Sequence, residues 1–249
     1  MVPSEPLKVL IVDDEQLARR GLRRDLAADP EIEVLAECPD GFEAVRAAAE
    51  LKPDLILLDI QMPRLNGFEV LELLDPEIAV IFVTAHDDHA VRAFEVNAVD
   101  YLLKPVDPQR LSDALGRARE RLRRREPMPV EALAAASRPA GVPLGRILVR
   151  DGPQVHVLPV ETIDYIEAQD DYIAVHSAGR SHLKQQTIAA VEQRLDSSRF
   201  VRIHRSYLLN LDRLAKIELI AKDSRIVILR DGTRLPLSRA GHTRLQALL

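Results

Sequence analysis

The 249-residue sequence predicts two domains of different class: a doubly wound α/β domain on a five-stranded parallel sheet, then a mainly antiparallel β domain. Three observations carry this expectation. In the first half, short apolar runs alternate with segments whose apolar residues recur at helical spacing. In the middle, REPMPVEALAAASRPAGVPLG (125–145) holds four prolines and reads as a linker, with VEALAAA as its one helix-like turn. From 146 onward the rhythm becomes strand-like runs of about six residues separated by turn residues. The expected boundaries are therefore 1–124, 125–145 and 146–249.

In the first segment KVLIV (8–12), IEVLAE (32–37), DLILL (54–58), AVIFV (79–83) and VDYLL (99–103) read as strands. Helices are expected over 16–28, 41–51, 67–74, 88–96 and 108–124, the last with Leu111, Leu115, Ala118 and Leu122 on one face. Apolar strands alternating with helices imply parallel pairing. In the second segment RILVR, QVHVLP, IDYIEA, YIAVHS, AKIELI and RIVILR read as strands. RDGT (230–233) between two such runs carries the Asp-Gly pair of a tight hairpin. TIAAVEQRL (187–195) and AGHTRLQALL at the C-terminus read as helices.

The chain is 47% hydrophobic and 29% charged, a globular composition. It has no apolar run long enough to span a membrane, its first residues lack the pattern of a signal peptide, and its single Cys38 excludes an internal disulfide framework. A cytoplasmic protein is expected. The net charge of −5 is unevenly spread: residues 1–125 carry 17 Lys+Arg against 25 Asp+Glu (−8), whereas 199–249 carry 11 against 4 (+7). The local excess of cations points to a polyanionic partner that the global figure hides.

In an open parallel sheet the working crevice lies beyond the carboxyl ends of the strands. Asp13, Asp14 and Glu15 follow the first strand, Asp59 the third, Thr84 the fourth, and Lys104 and Pro105 the fifth. Carboxylates meeting at one crevice repel unless a cation sits among them, and hard oxygen donors with an open mouth suit Mg²⁺. A carboxylate can also attack phosphorus and form an aspartyl phosphate, which needs a metal and a fixed cation around the moving group. Asp59 is the natural nucleophile, Asp13 and Asp14 the natural metal pair, Lys104 the fixed cation and Thr84 a hydroxyl donor. Taken singly, Asp13-Asp14 would read as a helix N-cap, Asp59 as the start of a turn, Lys104 as a solvated charge and Tyr101 as a core or surface ring.

LIVDDE, LILLDIQMPRLNG, FVTAH and AVDYLLKP, in this order, resemble the receiver domain of two-component response regulators over residues 7–124, a flavodoxin-like fold. The resemblance implies that Asp59 accepts a phosphoryl group from a sensor histidine kinase. It implies that Asp13, Asp14, Asp59 and the backbone carbonyl of Gln61 hold Mg²⁺. Thr84 and Tyr101 match the switch pair, Lys104 the phosphate contact, and Lys104-Pro105 a bond that is usually cis. Receivers of this kind usually dimerise through the face formed here by 86–124, so a homodimer is expected. Cys38 and the pair His86/His89 read as structural or surface residues.

The second segment raises the question of RFVRIHRSYLLN (199–210), where cations alternate with core residues. The period of two predicts Phe200, Arg202 and His204 on one face of a strand, Val201 and Ile203 on the other, and Arg205-Ser206 at its end. Cations held at the ends of a rigid β scaffold suit phosphate and base-edge contact. Lys184, Arg199, Arg234 and Ser238-Arg239 are further candidates. FVRIHRSYLLNLDRL and LPLSR, with IDYIEAQDDYIAVHS, resemble the LytTR DNA-binding domain over 146–249. That resemblance implies loops entering successive major grooves of direct-repeat promoter sites, with contacts around Asp170–Tyr172, at His204–Arg205 and at Arg239. The first loop is acidic, and an Asp there accepts from cytosine N4 or faces water. His204 also reads as an internal histidine that orders its loop, Arg202 as a solvated face, and Asn210 as a turn cap.

The function expected is a phosphorylation-controlled transcription regulator that binds double-stranded DNA, not an enzyme. An aspartyl-phosphate hydrolase on the same scaffold would need a substrate-covering cap, and no insertion of that size is present. The alternative is a signalling adaptor whose C-terminal domain binds protein or RNA.

Overall fold

A computed structural model of the chain describes residues 5–85, 98–124, 143–221 and 224–248. The chain divides into two compact units. No helix among the described residues is long and apolar enough to cross a membrane.

The first unit is a five-stranded sheet of β1 (Leu7–Val12), β2 (Ile32–Cys38), β3 (Leu55–Leu58), β4 (Ala79–Thr84) and β5 (Asp100–Leu103), in the order β2-β1-β3-β4-β5 and parallel throughout. β3 and β4 are buried along their whole length, because a parallel sheet is covered on both faces and its strands must be apolar on both. α1 (Gln16–Leu26), α2 (Gly41–Leu51), α3 (Gly67–Leu71) and α4 (Pro108–Arg124) follow β1, β2, β3 and β5. α4 buries Leu111, Ala114, Leu115 and Ala118, which join Ile11, Leu57 and Ile81 in one core. α2 starts where the Asp40 carboxylate accepts from the Phe42 and Glu43 amides at 2.9 and 3.0 Å. α3 starts on an Asn66/Glu69 capping box and ends at Leu71, shorter than the expected 67–74, though Leu73 and Leu74 beyond it stay buried. The expected helix over 88–96 lies outside the described residues.

The second unit holds most of the hairpin β6 (Arg146–Asp151) and β7 (Gln154–Pro159), a five-stranded antiparallel sheet and a three-stranded one. The larger sheet comprises β8 (Ile163–Gln169), β9 (Tyr172–Ser177), β10 (Arg180–Gln185), β11 (Phe200–His204) and β12 (Tyr207–Asn210), ordered β10-β9-β8-β12-β11. The smaller comprises β13 (Leu214–Ala221), β14 (Ser224–Leu229) and β15 (Arg234–Leu237). α5 (Ile188–Glu192) and α6 (Arg239–Gln246) are its helices. The Asp-Gly turn forms as expected between β14 and β15, with Gly232 at φ +89°, where a side chain would be strained.

The alternation read in 199–204 holds, but neither face is open along its length. Phe200 joins Leu208 in one core, while Val201 and Ile203 join Leu209 and Val227 in the other. The larger sheet is therefore covered on both sides near β11. α6 seats against β11 through Ile203: the Ser238 amide and hydroxyl both donate to the Ile203 carbonyl, at 3.0 and 2.9 Å.

A Cβ on Gly241 would stand 1.9 Å from that same carbonyl oxygen, and backbone cannot swing aside as a side chain can. Gly241→Ala is expected to lift α6 from β11 and cost about 2 kcal/mol of stability, the usual scale of an overpacked contact. A lowered midpoint in urea for the C-terminal unit checks this; an unchanged midpoint would contradict the seating of α6.

Candidate functional site

The strand order changes direction between β1 and β3, and a crevice opens at such a switch point. Val12 pairs with Leu58, so the next residues, Asp13 and Asp59, emerge side by side. Both are buried, at 1% and 5% exposure, while Asp14 faces solvent. Among the described residues these three form the carboxylate group whose oxygens all lie within 4.8 Å of one another. The N-cap of α1 is Glu15, whose side chain makes no cap bond, so Asp13 and Asp14 are not held as helix caps. Asp13 Oδ1 instead accepts from the Glu15 amide at 2.9 Å, and Asp59 Oδ1 from the Gln61 amide at 3.2 Å.

Lys104, the first residue beyond β5, reaches back across the sheet. Its Nζ stands 2.7 Å from Asp13 Oδ2 and 2.7 Å from Asp59 Oδ2. Lys104 is followed by a cis bond to Pro105, as the resemblance implied, and its amide donates to the Thr84 carbonyl at 2.8 Å. Burial alone would lower the Lys104 pKa, but the hydrogen bonds it donates to the two carboxylates outweigh it and hold the ammonium above its usual range. Burial is also the largest influence on Asp13 and raises its pKa in spite of Lys104. The Thr84 hydroxyl is fully buried and has no hydrogen-bond partner among the described residues, a costly state for a polar group unless something docks against it. Tyr101 is turned inward and 8% exposed. Gly67, which sequence reasoning passed over, belongs to this construction: a Cβ there would meet the Asp59 carbonyl oxygen at 2.4 Å. Cys38 takes no part; burial pushes its thiol up to about 11.

These donors fit a hard divalent cation. They are all oxygen, and two of the three carboxylates are buried at 1% and 5% exposure with Asp14 open to solvent beside them.

The cationic candidates of the second unit divide into two groups. His204, Arg205 and Ser206 form the β11–β12 turn. Ser238 caps α6, its hydroxyl accepting from the Gly241 amide at 3.0 Å, and Arg239 is the first residue of that helix. The contacts of Ser238 with Ile203, and of the Arg244 guanidinium with the Arg202 carbonyl at 2.9 Å, bring the start of α6 to the β11–β12 turn. The Ala168 amide donates to the Ser206 carbonyl at 2.8 Å, so the acidic β8–β9 turn, with Asp170 at φ +51°, lies at this same end of the sheet. Arg205 and Arg239 are exposed there.

The remaining candidates stand apart. Arg199, at the opposite end of β11 from His204, pairs with Asp212 at 2.7 Å. Arg234 opens β15, at the far end of that strand from Ser238. Lys184 lies on β10, the other edge of the larger sheet, and its Nζ donates to the Leu148 carbonyl at 3.0 Å. Arg202 is not the solvated face weighed for it: it is half-buried and bound to Glu192 at 2.8 Å. Asn210 is a turn cap, accepting from the Asp212 amide at 3.1 Å. His204 Nδ1 accepts from the Ser206 amide at 3.2 Å, so the ring orders its own turn and its proton sits on Nε2. Sequence reasoning also missed a brace beneath this end. The Tyr207 hydroxyl donates to Glu167 at 2.6 Å, and that carboxylate pushes the phenol up to about 12. Both lie within the stretches that carry the resemblance, but only strand register brings them opposite.

Comparison with known proteins agrees with both halves. The response regulator receiver domain family matches residues 9–116, and the LytTR DNA-binding domain family matches 153–249. A receiver joined to such a domain defines a response regulator that acts on transcription. This chain belongs to that family, the LytTR-containing response regulators. It is 37% identical over 235 residues to an uncharacterised response regulatory protein of Yersinia pestis, covering 94% of each chain. It is 36% identical over 237 residues to the transcriptional regulatory protein BtsR of Escherichia coli K12, covering 94% of this chain and 95% of that one.

Because burial raises the Asp13 pKa, the folded protein holds that proton more tightly than the unfolded chain. The sign follows: Asp13 weighs against folding once pH rises from its ordinary value of 3.8 through its raised one, and not below. Asp13→Asn should therefore be more stable than the parent near neutral pH, with the gap closing as pH falls through that window. Urea titrations across acid pH check this, and a gap that widens on acidification would contradict it.

Proposed function

We propose that this chain is a phosphorylation-controlled DNA-binding regulator. Its proposed parts are a receiver over 1–124, a linker over 125–145 and a DNA-binding domain over 146–249. Asp59 accepts a phosphoryl group from a sensor histidine kinase. A carboxylate oxygen of Asp59 attacks phosphorus, the phosphorus–nitrogen bond of the kinase phosphohistidine breaks, and the electron pair leaves with the imidazole, which takes up a proton. Magnesium held by Asp13, Asp14, Asp59 and the Gln61 carbonyl neutralises charge on the phosphoryl oxygens when bound. The observation that carries this reading is the Lys104 ammonium, 2.7 Å from both Asp13 and Asp59. It is a fixed cation that moves from bridging two carboxylates to gripping the phosphoryl group.

The acyl phosphate adds roughly −1.5 to −2 charge at the mouth of the sheet. The unpartnered Thr84 hydroxyl is free to donate to it, and the inward ring of Tyr101 fits the switched arrangement. The surface that reads the change is assigned to 86–124, of which 86–97 lies outside the described residues. Pairing of two receivers there delivers two C-terminal domains to direct-repeat DNA, and the linkage raises affinity by effective concentration rather than by new contacts. The contacting groups are proposed at the sheet end shared by His204, Arg205, Ser206 and Arg239, with Lys184 near its far edge. Arg199 and Arg234 stand apart from that end and are withdrawn from the contact set.

On incubation with acetyl phosphate and Mg²⁺ the parent should gain the mass of one phosphoryl group, and Asp59→Asn none. Beryllofluoride with Mg²⁺ should raise the sedimentation coefficient of the parent, and EDTA should reverse it. An unchanged coefficient would remove dimerisation from the proposal. Arg239→Ala should weaken binding to duplex DNA and flatten the plot of log affinity against log salt by about 1 if Arg239 contacts a phosphate. A parent that binds no duplex at low salt would favour a C-terminal domain directed at protein or RNA.

A further inference from the structure

The deepest cation at the proposed DNA edge points the wrong way to touch DNA. We propose that Arg202, with Glu192, is a positioning residue that fixes the shape of the His204–Ser206 turn. This assignment deepens the DNA-binding reading and rests on it.

The β11–β12 pairing slips by one residue between Arg202 and His204. The slip is a β-bulge, which bends the strand and takes backbone groups out of the ladder. Just beyond it stand the carbonyls of His204, the last residue of β11, and of Arg205 in the turn. The Arg202 guanidinium takes both. Its Nε donates to the His204 carbonyl at 2.9 Å and its Nη2 to the Arg205 carbonyl. Its third edge is held from below, where Nη1 meets the Glu192 carboxylate of α5 at 2.8 Å. The side chain is 16% exposed. A planar fork with donors on three nitrogens can satisfy this set at once, whereas a lysine ammonium on its flexible stem cannot hold the same geometry.

The clamp reaches the presented groups directly. With the carbonyls of 204 and 205 pinned, the Ser206 amide donates to His204 Nδ1, and the Ser206 carbonyl accepts from Ala168. These bonds aim the His204 ring edge and the Arg205 side chain outward as one unit. Glu192 is thus an acidic residue that serves polyanion binding, which simple charge counting would rate as harmful.

That opposition supplies the test. In the full chain, Glu192→Ala removes a negative charge near the DNA edge at a partly exposed helical position where alanine is well tolerated. If charge alone matters, the variant binds duplex DNA more tightly. If Glu192 holds the clamp, the variant binds about tenfold more weakly, since bonds to charged groups of this kind are each worth one or two factors of ten. Arg202→Gln removes the charge and should lose affinity to a similar extent, while the slope of log affinity against log salt stays at the parental value. A slope lowered by about 1, with Glu192→Ala at or above parental affinity, would make Arg202 a phosphate contact and overturn the proposal. Parental affinity in both variants would overturn it too. Hydrogen exchange of the Ser206 and Ala168 amides gives a readout that needs no DNA. Faster exchange in Glu192→Ala supports the clamp and unchanged exchange overturns it. A parent that binds no duplex would sink the DNA-binding reading, and exchange would still decide the clamp.

Discussion

Two buried carboxylates share one ammonium, and the N-terminal unit is organised to make that possible. Unit charges of like sign about 4 Å apart cost on the order of 4 kcal/mol at the effective dielectric of a protein surface. Asp13 and Asp59 would repel each other in their crevice without Lys104 between them. The strand order supplies the pair by placing β1 beside β3, and supplies the cation by ending β5 across β4 from them. The same tension makes the site responsive. On the proposed reading, a cation that serves two carboxylates is poised for a third anion, and the Thr84 hydroxyl is desolvated with no partner among the described residues. Gly67 contributes by having no side chain, letting the start of α3 lie against the Asp59 backbone.

The C-terminal unit answers a related difficulty with different parts. Several cations must be offered at one edge without loosening the core behind them. The larger sheet is packed on both faces near β11, which leaves strand ends and turns as the places where polar groups can emerge. Arg202 binds the His204 and Arg205 carbonyls and Ser238 the Ile203 carbonyl, and the Glu167–Tyr207 pair braces β8 against β12 beneath them. Rigid elements thus aim short turns, an arrangement in which a small displacement of one strand end matters more than the loss of one surface charge.

The five parallel strands were legible because buried strands must be apolar on both faces, so their runs stand out against helical spacing. Asp13, Asp59, Thr84 and Lys104 were legible as a site because each directly follows such a run, and strand ends in this fold converge. β10 escaped notice: RSHLKQ is polar at alternate positions and ends the sheet, so nothing in its sequence demands burial. Arg199 and Arg234 were grouped with the contact residues by charge alone. The paired Asp212 and the far end of β15 separate them from the edge where His204 and Arg239 meet. Arg202 was recognised as a cation but not as one that faces inward, because its partners are two backbone carbonyls and a glutamate ten residues earlier.

By itself the sequence determined the class of each domain, the order of their elements and the identity of the acidic site. All three follow from periodicity and from which residue comes next along the chain, and those are local quantities. Only the tertiary structure decided which cations face out, that the Glu192 carboxylate pairs with Arg202, and that Gly67 and Gly241 must lack side chains. Those depend on distances between strands far apart in sequence, which packing sets and residue order does not.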